Sequence, residues 1–130
     1  DEIPPRWNNN AMWHAGHLVI TPRLLTYKLM GEKTGYPDEY RSWFRKGTDP
    51  SKWADSKEKP DYEVILPEIV KGTEELFDDI KDEWTEPYPE TYTTSLGVEL
   101  SKPCESLNFS YFHDGIHLGM LLALKREMSV

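Results

Sequence analysis

The apolar spacing of the C-terminal segment constrains this chain more than any other feature. Phe109, Phe112, His113, Ile116, His117, Met120, Leu121 and Leu124 recur at steps of three and four. That spacing predicts a helix from Pro103 to about Met128 with these side chains on its buried face. Pro103 falls in the first turn, where its missing amide costs nothing. Ser101 or Lys102 stands at the cap, and Lys125 and Arg126 occupy the last turn, where positive charge suits the helix dipole. Two further segments read the same way. Trp13, His17, Ile20, Leu24 and Tyr27 share one helical face over about 11–30, with an Asn before it as a cap and Gly31 as a stop. Pro22 should bend that helix, because it deletes one internal hydrogen bond. Tyr62, Ile65, Leu66, Ile69, Val70, Leu76, Phe77, Ile80 and Trp84 form a stripe over about 61–84, opposite a strongly acidic face. Asp61 is its candidate cap, and Pro67 bends its first turns or marks a later start. Three long helices predict an all-α chain of bundle type, with stripes wide enough to want a fourth helix.

Between these helices the chain is less regular. Residues 31–60 make a long connection with a short helical turn near 38–45, pinned by Tyr36, Tyr40, Trp43, Phe44 and Trp53. A connection of that length is more often functional than idle. Around Gly97, Tyr92-Thr93-Thr94 and Val98-Glu99-Leu100 read as a short extended or hairpin piece. The 130 residues fit one domain spanning 1–130. With 23 Asp and Glu against 15 Lys and Arg, the net charge is -8, which argues against a nucleic-acid partner. No apolar run approaches the roughly 20 residues of a membrane span, and nothing resembles a signal peptide. A cytoplasmic protein without a membrane partner is therefore expected. The single cysteine, Cys104, cannot form an internal disulfide or a Cys-rich zinc site. It sits at a helix start, where the dipole lowers a thiol pKa, but plain packing is the simpler reading.

The four histidines are not scattered. They form two close pairs, His14/His17 and His113/His117, one on each of two predicted helices. His113 and His117 lie one turn apart on the same face, a spacing that lets two imidazoles converge on one ion. His17 lies on the apolar stripe of the first helix and points into the same interior. Three histidines from two helices can bind a divalent metal and leave positions open, as a catalytic site requires. The competing reading makes them hydrogen-bonded core residues, although burying several unpartnered imidazoles is costly. His14 is read first as a partly exposed residue near the helix start, the alternative being a fourth ligand or a group that supports a ligand from behind. The sequence His113-Asp114-Gly115-Ile116-His117 also approaches the zinc-protease pattern H-E-x-x-H. Asp114 is one methylene too short for that general base, and no third ligand follows downstream.

Taken together, these segments resemble a known family. Asn10-Ala11-Met12-Trp13-His14-Ala15-Gly16-His17-Leu18 resembles the W-H-x-G-H-L segment of the DinB-like (DinB/YfiT) superfamily. His113-Asp114-Gly115-Ile116-His117-Leu118-Gly119 resembles its closing H-x3-H-x-G segment. Trp43-Phe44-Arg45-Lys46-Gly47-Thr48 is similar to the F-x-x-G-[ST] loop of one branch. Order and separation agree over about residues 7–127. The resemblance implies a four-helix bundle with a three-histidine metal site, the ligands carried over by position being His17, His113 and His117. It implies zinc or nickel as the metal, homodimers, and metal-dependent transfer or isomerisation with low-molecular-weight thiols. The chain departs from the pattern in three places. No helix is read before Trp13, so the domain is expected to be N-terminally incomplete or completed by another protomer. Asp114 stands where many relatives have Glu. Thr21-Pro22-Arg23 falls where many have an acidic residue.

The leading expectation is thus a metal-dependent transferase that activates a small thiol against a small electrophile, with His14 and Asp114 as candidates to support the ligands from behind. Hydrolysis of a small ester or amide would use the same ligands. A third reading is a non-enzymatic binding or stress-response module with a structural metal or none, marked by a closed four-ligand site. Trp7, Trp13, Trp43 and Phe44 are candidates to line a pocket, or plain core.

Overall fold

The computed structural model describes residues 2–55 and 60–129. It is mostly helical: α1 (Ala11–Leu24), α2 (Tyr27–Met30), α3 (Asp38–Phe44), a 3-10 turn at Pro50–Asp55, α4 (Tyr62–Ile80) and α5 (Pro103–Met128). The one small sheet among the described residues is the antiparallel hairpin of β1 (Tyr92–Thr93) and β2 (Glu99–Leu100), with Tyr92 opposite Leu100. Its turn needs Gly97, whose φ of 79° is a left-handed value that a side chain disfavours.

The first helix is the centre of the molecule. Asn10 caps α1 by accepting from the Trp13 amide at 2.8 Å. The expected single helix over 11–30 is instead two segments, broken at Leu25 and Thr26 after Pro22. Neighbours satisfy the groups exposed at the break. Thr26 Oγ1 donates to the Pro22 carbonyl at 2.8 Å, and the Tyr88 hydroxyl donates to the Leu25 carbonyl at 3.1 Å. Gly31 ends α2 at φ 86°, as its position suggests. Buried residues occur nearly all round α1, not on one face, which is the signature of a helix surrounded by others. Met12, Trp13, Ala15, Val19 and Ile20 form the main core with Phe44 of α3 and Ile65 of α4.

α3, α4 and α5 each pack against α1, while α4 and α5 scarcely touch one another. Asp61 caps α4 through the Glu63 amide at 2.9 Å. α4 stops at Ile80, short of the expected Trp84, but Trp84 still packs on the second core cluster of Tyr27, Leu76, Ile80 and Leu107. α5 begins at Pro103 after Lys102, and the Glu105 carboxylate accepts from both the amide and the hydroxyl of Ser101. The buried face of α5 differs from the stripe expected from spacing. Pro103, Ser106, Leu107, Ser110, His117 and Leu124 are buried, whereas Phe112, Ile116 and Met120 are exposed. The apolar residues of α5 spread over more of its circumference than α1 alone can cover. On α4, Val64, Leu66, Val70 and Phe77 are exposed for the same reason.

One buried cation ties the long connection to the bundle. Arg23 of α1 pairs with Glu75 at 2.9 Å, donates to the Gly72 and Thr34 carbonyls, and lies over the Tyr36 ring, 4.5 Å from its centroid. No helix among the described residues is long and apolar enough to cross a membrane.

Candidate metal centre

α1 and α5 bring all four histidines together. One ring nitrogen from each of His17, His113 and His117 lies within 4.8 Å of the other two, so this trio can hold a metal ion. His17 Nε2 and His113 Nε2 are 3.2 Å apart. Two nitrogens bonded to a tetrahedral zinc at 2.0–2.1 Å stand about 3.3–3.4 Å apart, so this spacing matches two adjacent ligands. His14 does not sit partly exposed at the helix start as expected. It is 2% exposed, and its Nδ1 is 2.8 Å from His117 Nδ1. The expectation failed because α1 is enclosed on every side, leaving no solvent-facing position in its first turns.

The arrangement is held by one segment, Phe44 to Thr48, that locks onto α1. Phe44, at the end of α3, packs directly on Gly16, where even a Cβ would collide with its ring. That close approach brings the Phe44 carbonyl to 2.6 Å from His17 Nδ1. Trp13 stacks on His17, centroids 4.6 Å apart, and its indole nitrogen donates to Thr48 Oγ1 at 2.7 Å. The glycine of the W-H-x-G-H segment and the Phe and Thr of the F-x-x-G-T segment therefore act together to orient one imidazole.

Hydrogen bonding then settles which nitrogens are free. A carbonyl only accepts, so His17 Nδ1 carries the proton and Nε2 keeps its lone pair, aimed at His113. Behind His117 stands His14 Nδ1, which can accept from His117 Nδ1 and leave His117 Nε2 free. Behind His113 stands Asp114, with Oδ1 3.7 Å from His113 Nδ1. Both of those buried atoms lack a hydrogen-bond partner among the described residues, as does His14 Nε2. His17 and His117 thus each have an acceptor at hydrogen-bond distance behind the ring, a carbonyl and an imidazole, whereas the Asp114 carboxylate stands near His113 without bonding to it. Such acceptors behind ligating histidines fix ring orientation and raise basicity at the metal.

The electrostatics favour the neutral form that ligation requires. Burial pushes His17 down to about 4, against a partly compensating hydrogen bond to Phe44 and with help from His113, His14 and Lys46. Burial pushes His117 down to about 3, reinforced by His17, His113 and His14. His14 is also lowered by burial.

A cavity of about 590 Å³ opens onto the cluster, with all four histidines in its wall. Trp13 lines it, but Trp43 and Phe44 belong to the core instead, and Trp7 lies outside the lining. Cys104 is also absent from it, nine positions and roughly 13 Å along α5 from His113.

No protein-family model, curated protein or solved structure matches this chain.

What the site can do therefore follows from its geometry. Reasoning from spacing missed the Phe44 carbonyl, because backbone groups carry no sequence signature. It also missed the cations at the cavity mouth, although Arg41, Arg45 and Lys46 stand close together in the connection.

Proposed function

We propose that the protein is a DinB-like metal-dependent enzyme, with His17, His113 and His117 holding a divalent cation such as zinc or nickel. The observation that carries this reading is the convergence of three ring nitrogens within 4.8 Å, two of the rings with an acceptor at hydrogen-bond distance behind them. A divalent cation bound there supplies a positive charge that lowers the pKa of a thiol and favours its thiolate. The residues supply the rest. His17 is oriented by Phe44 and Trp13 and His117 by His14, while Asp114 stands beside His113 without a hydrogen bond to it. The cavity that opens onto the cluster has room for a small thiol and its electrophilic partner.

His14 bears on the choice between an enzymatic and a structural metal. A closed site would enlist it as a fourth ligand. Its Nδ1 is instead engaged with His117 Nδ1, which favours a supporting role and an open coordination face. The family reading also includes a four-helix bundle and a homodimer. The exposed Val70 and Phe77 of α4 and Tyr111 and Leu118 of α5 support the packing of a further helix against the described ones.

Metal analysis of the purified protein tests the reading. The parent chain should bind close to one divalent ion, and His113→Ala should lose most of it while keeping its helical circular dichroism. Full metal content in a folded His113→Ala protein would overturn the assignment.

A further inference from the structure

The mouth of the histidine cavity carries charge of the wrong sign for this chain. The protein has a net charge of -8, yet Lys28, Arg41, Arg45 and Lys46 line this cavity and no Asp or Glu does, among the described residues. Elsewhere Arg6, Arg23, Lys71, Lys81 and Lys102 pair with carboxylates, while Lys33, Lys52, Lys125 and Arg126 are unpaired among the described residues but do not line this cavity. None of the four at the cavity has an ion pair among the described residues. Lys28 and Arg41 also border a neighbouring cavity that contains Glu32 and Asp38, whereas Arg45 and Lys46 line the histidine cavity alone. The remaining wall is mainly apolar, with Leu24, Leu29, Leu96, Phe109 and Met120.

Unpaired cations beside a low-dielectric wall focus a positive potential into the cavity against the field of the whole molecule. An uncharged ligand gains nothing from that arrangement. A purely polar anion would leave the apolar wall unused. We propose that the small molecule received at this site is an organic anion, with its apolar body against Leu24, Leu29, Phe109 and Met120 and its charged group among Arg41, Arg45 and Lys46. This rests on the histidine cluster being the reactive centre, and it narrows the thiol or electrophile to one bearing a carboxylate or an equivalent anionic group.

Calorimetric titration with 4-phenylbutyrate and its neutral counterpart 4-phenylbutanol tests the proposal without requiring turnover. Both are titrated into protein of measured metal content, and into protein treated with a chelator. Exposed ion pairs contribute modestly each, so a rim of this kind predicts roughly 5- to 30-fold tighter binding of the anion. The preference should shrink in 0.5 M NaCl and vanish in Arg41→Gln/Arg45→Gln/Lys46→Gln, with the metal content of that variant unchanged. Equal affinity for the two probes, or a preference that survives the triple substitution, would overturn the proposal. If the variant does not fold, the salt dependence of the parent protein decides in the same way. Absence of an anion preference in the metal-bound parent protein condemns the anion proposal alone. Failure to bind metal condemns the functional reading, and the chelator-treated arm still tests the cavity.

Discussion

Replacing Gly16 by alanine is the most informative single perturbation of this molecule. In an ordinary helix interior the change stabilises by about 1 kcal/mol, since glycine is the poorer helix former. At Gly16 the added Cβ would lie closer than 3.0 Å to three carbons of the Phe44 ring, where ordinary contact begins near 3.4 Å. Phe44 has no exposure and is boxed in by Tyr40, Trp43 and Trp53, so its ring cannot swing to solvent. Overpacking of this kind costs about 1–3 kcal/mol. Displacing Phe44 also pulls its carbonyl from His17 Nδ1, and a buried donor left unpaired costs a further 1–3 kcal/mol or so. After the gain in helix propensity, the net loss is about 1–5 kcal/mol. The same displacement frees the His17 ring to turn, and losing such a support weakens metal binding by about 10- to 100-fold. Thermal unfolding of chelator-treated protein reads the first effect. Competition against a chromophoric zinc chelator reads the second. Gly16→Ala/Phe44→Leu should recover part of the stability, because the smaller side chain leaves room for the methyl group. An unchanged or higher melting temperature together with unchanged zinc affinity in Gly16→Ala would show that Phe44 yields without disturbing His17.

Three other outcomes are expected. Gly119→Ala on α5, where nothing lies within 4 Å of an added Cβ, should stabilise by about 0.5–1 kcal/mol in denaturant unfolding, and a loss would show that this face is covered. His17 and His117 are held well below the 6.5 of a free imidazole, so between pH 6.5 and about 4 the unfolded chain binds protons that the folded chain does not. The metal-free protein should therefore lose stability as pH falls through that window, by roughly 3 kcal/mol from His17 alone, and a flat melting temperature from pH 7 to 4 would contradict it. Sedimentation equilibrium should show self-association that Phe77→Glu weakens, and a strictly monomeric parent chain at about 100 µM would exclude the dimer.

Much of the fold was legible because local rules and tertiary packing agree there. The Asn10 and Asp61 caps, Pro103 at the start of α5, Gly31 at the end of α2 and the hairpin around Gly97 all occupy positions where one residue type satisfies a backbone need. Burial was less legible. Periodicity assigned Phe112 and Ile116 to an interior face, yet α5 meets only α1 along much of its length and leaves both exposed. The convergence of His17, His113 and His117 followed from their spacing on two helices. The burial of His14 did not, because it depends on what encloses α1 rather than on its neighbours in sequence. The interlock of Gly16 with Phe44 was equally hidden, since it joins residues 28 positions apart through a ring and a carbonyl.

The protonation pattern explains why these four histidines belong to one device rather than to a generic core. His17 cannot move its proton to Nε2 without surrendering the Phe44 carbonyl, so its lone pair stays directed at His113 Nε2, 3.2 Å away. If His113 turns its own proton toward Asp114, two lone pairs face each other at that distance and repel unless a cation lies between them. If it keeps the proton on Nε2 and donates to His17, Nδ1 and the Asp114 oxygen both remain buried without partners. Burying unpaired polar groups is costly, and a cation between the two Nε2 atoms would let both rings direct lone pairs there without repulsion. The same logic makes Asp114 testable. Asp114→Asn keeps the shape but offers a weaker acceptor, and the Asn side chain can turn either its oxygen or its amide toward Nδ1. Zinc affinity should fall by about tenfold with little change in metal-free stability. A variant whose zinc affinity equals the parent's would place Asp114 outside the metal centre and leave His113 to be oriented by its helix alone.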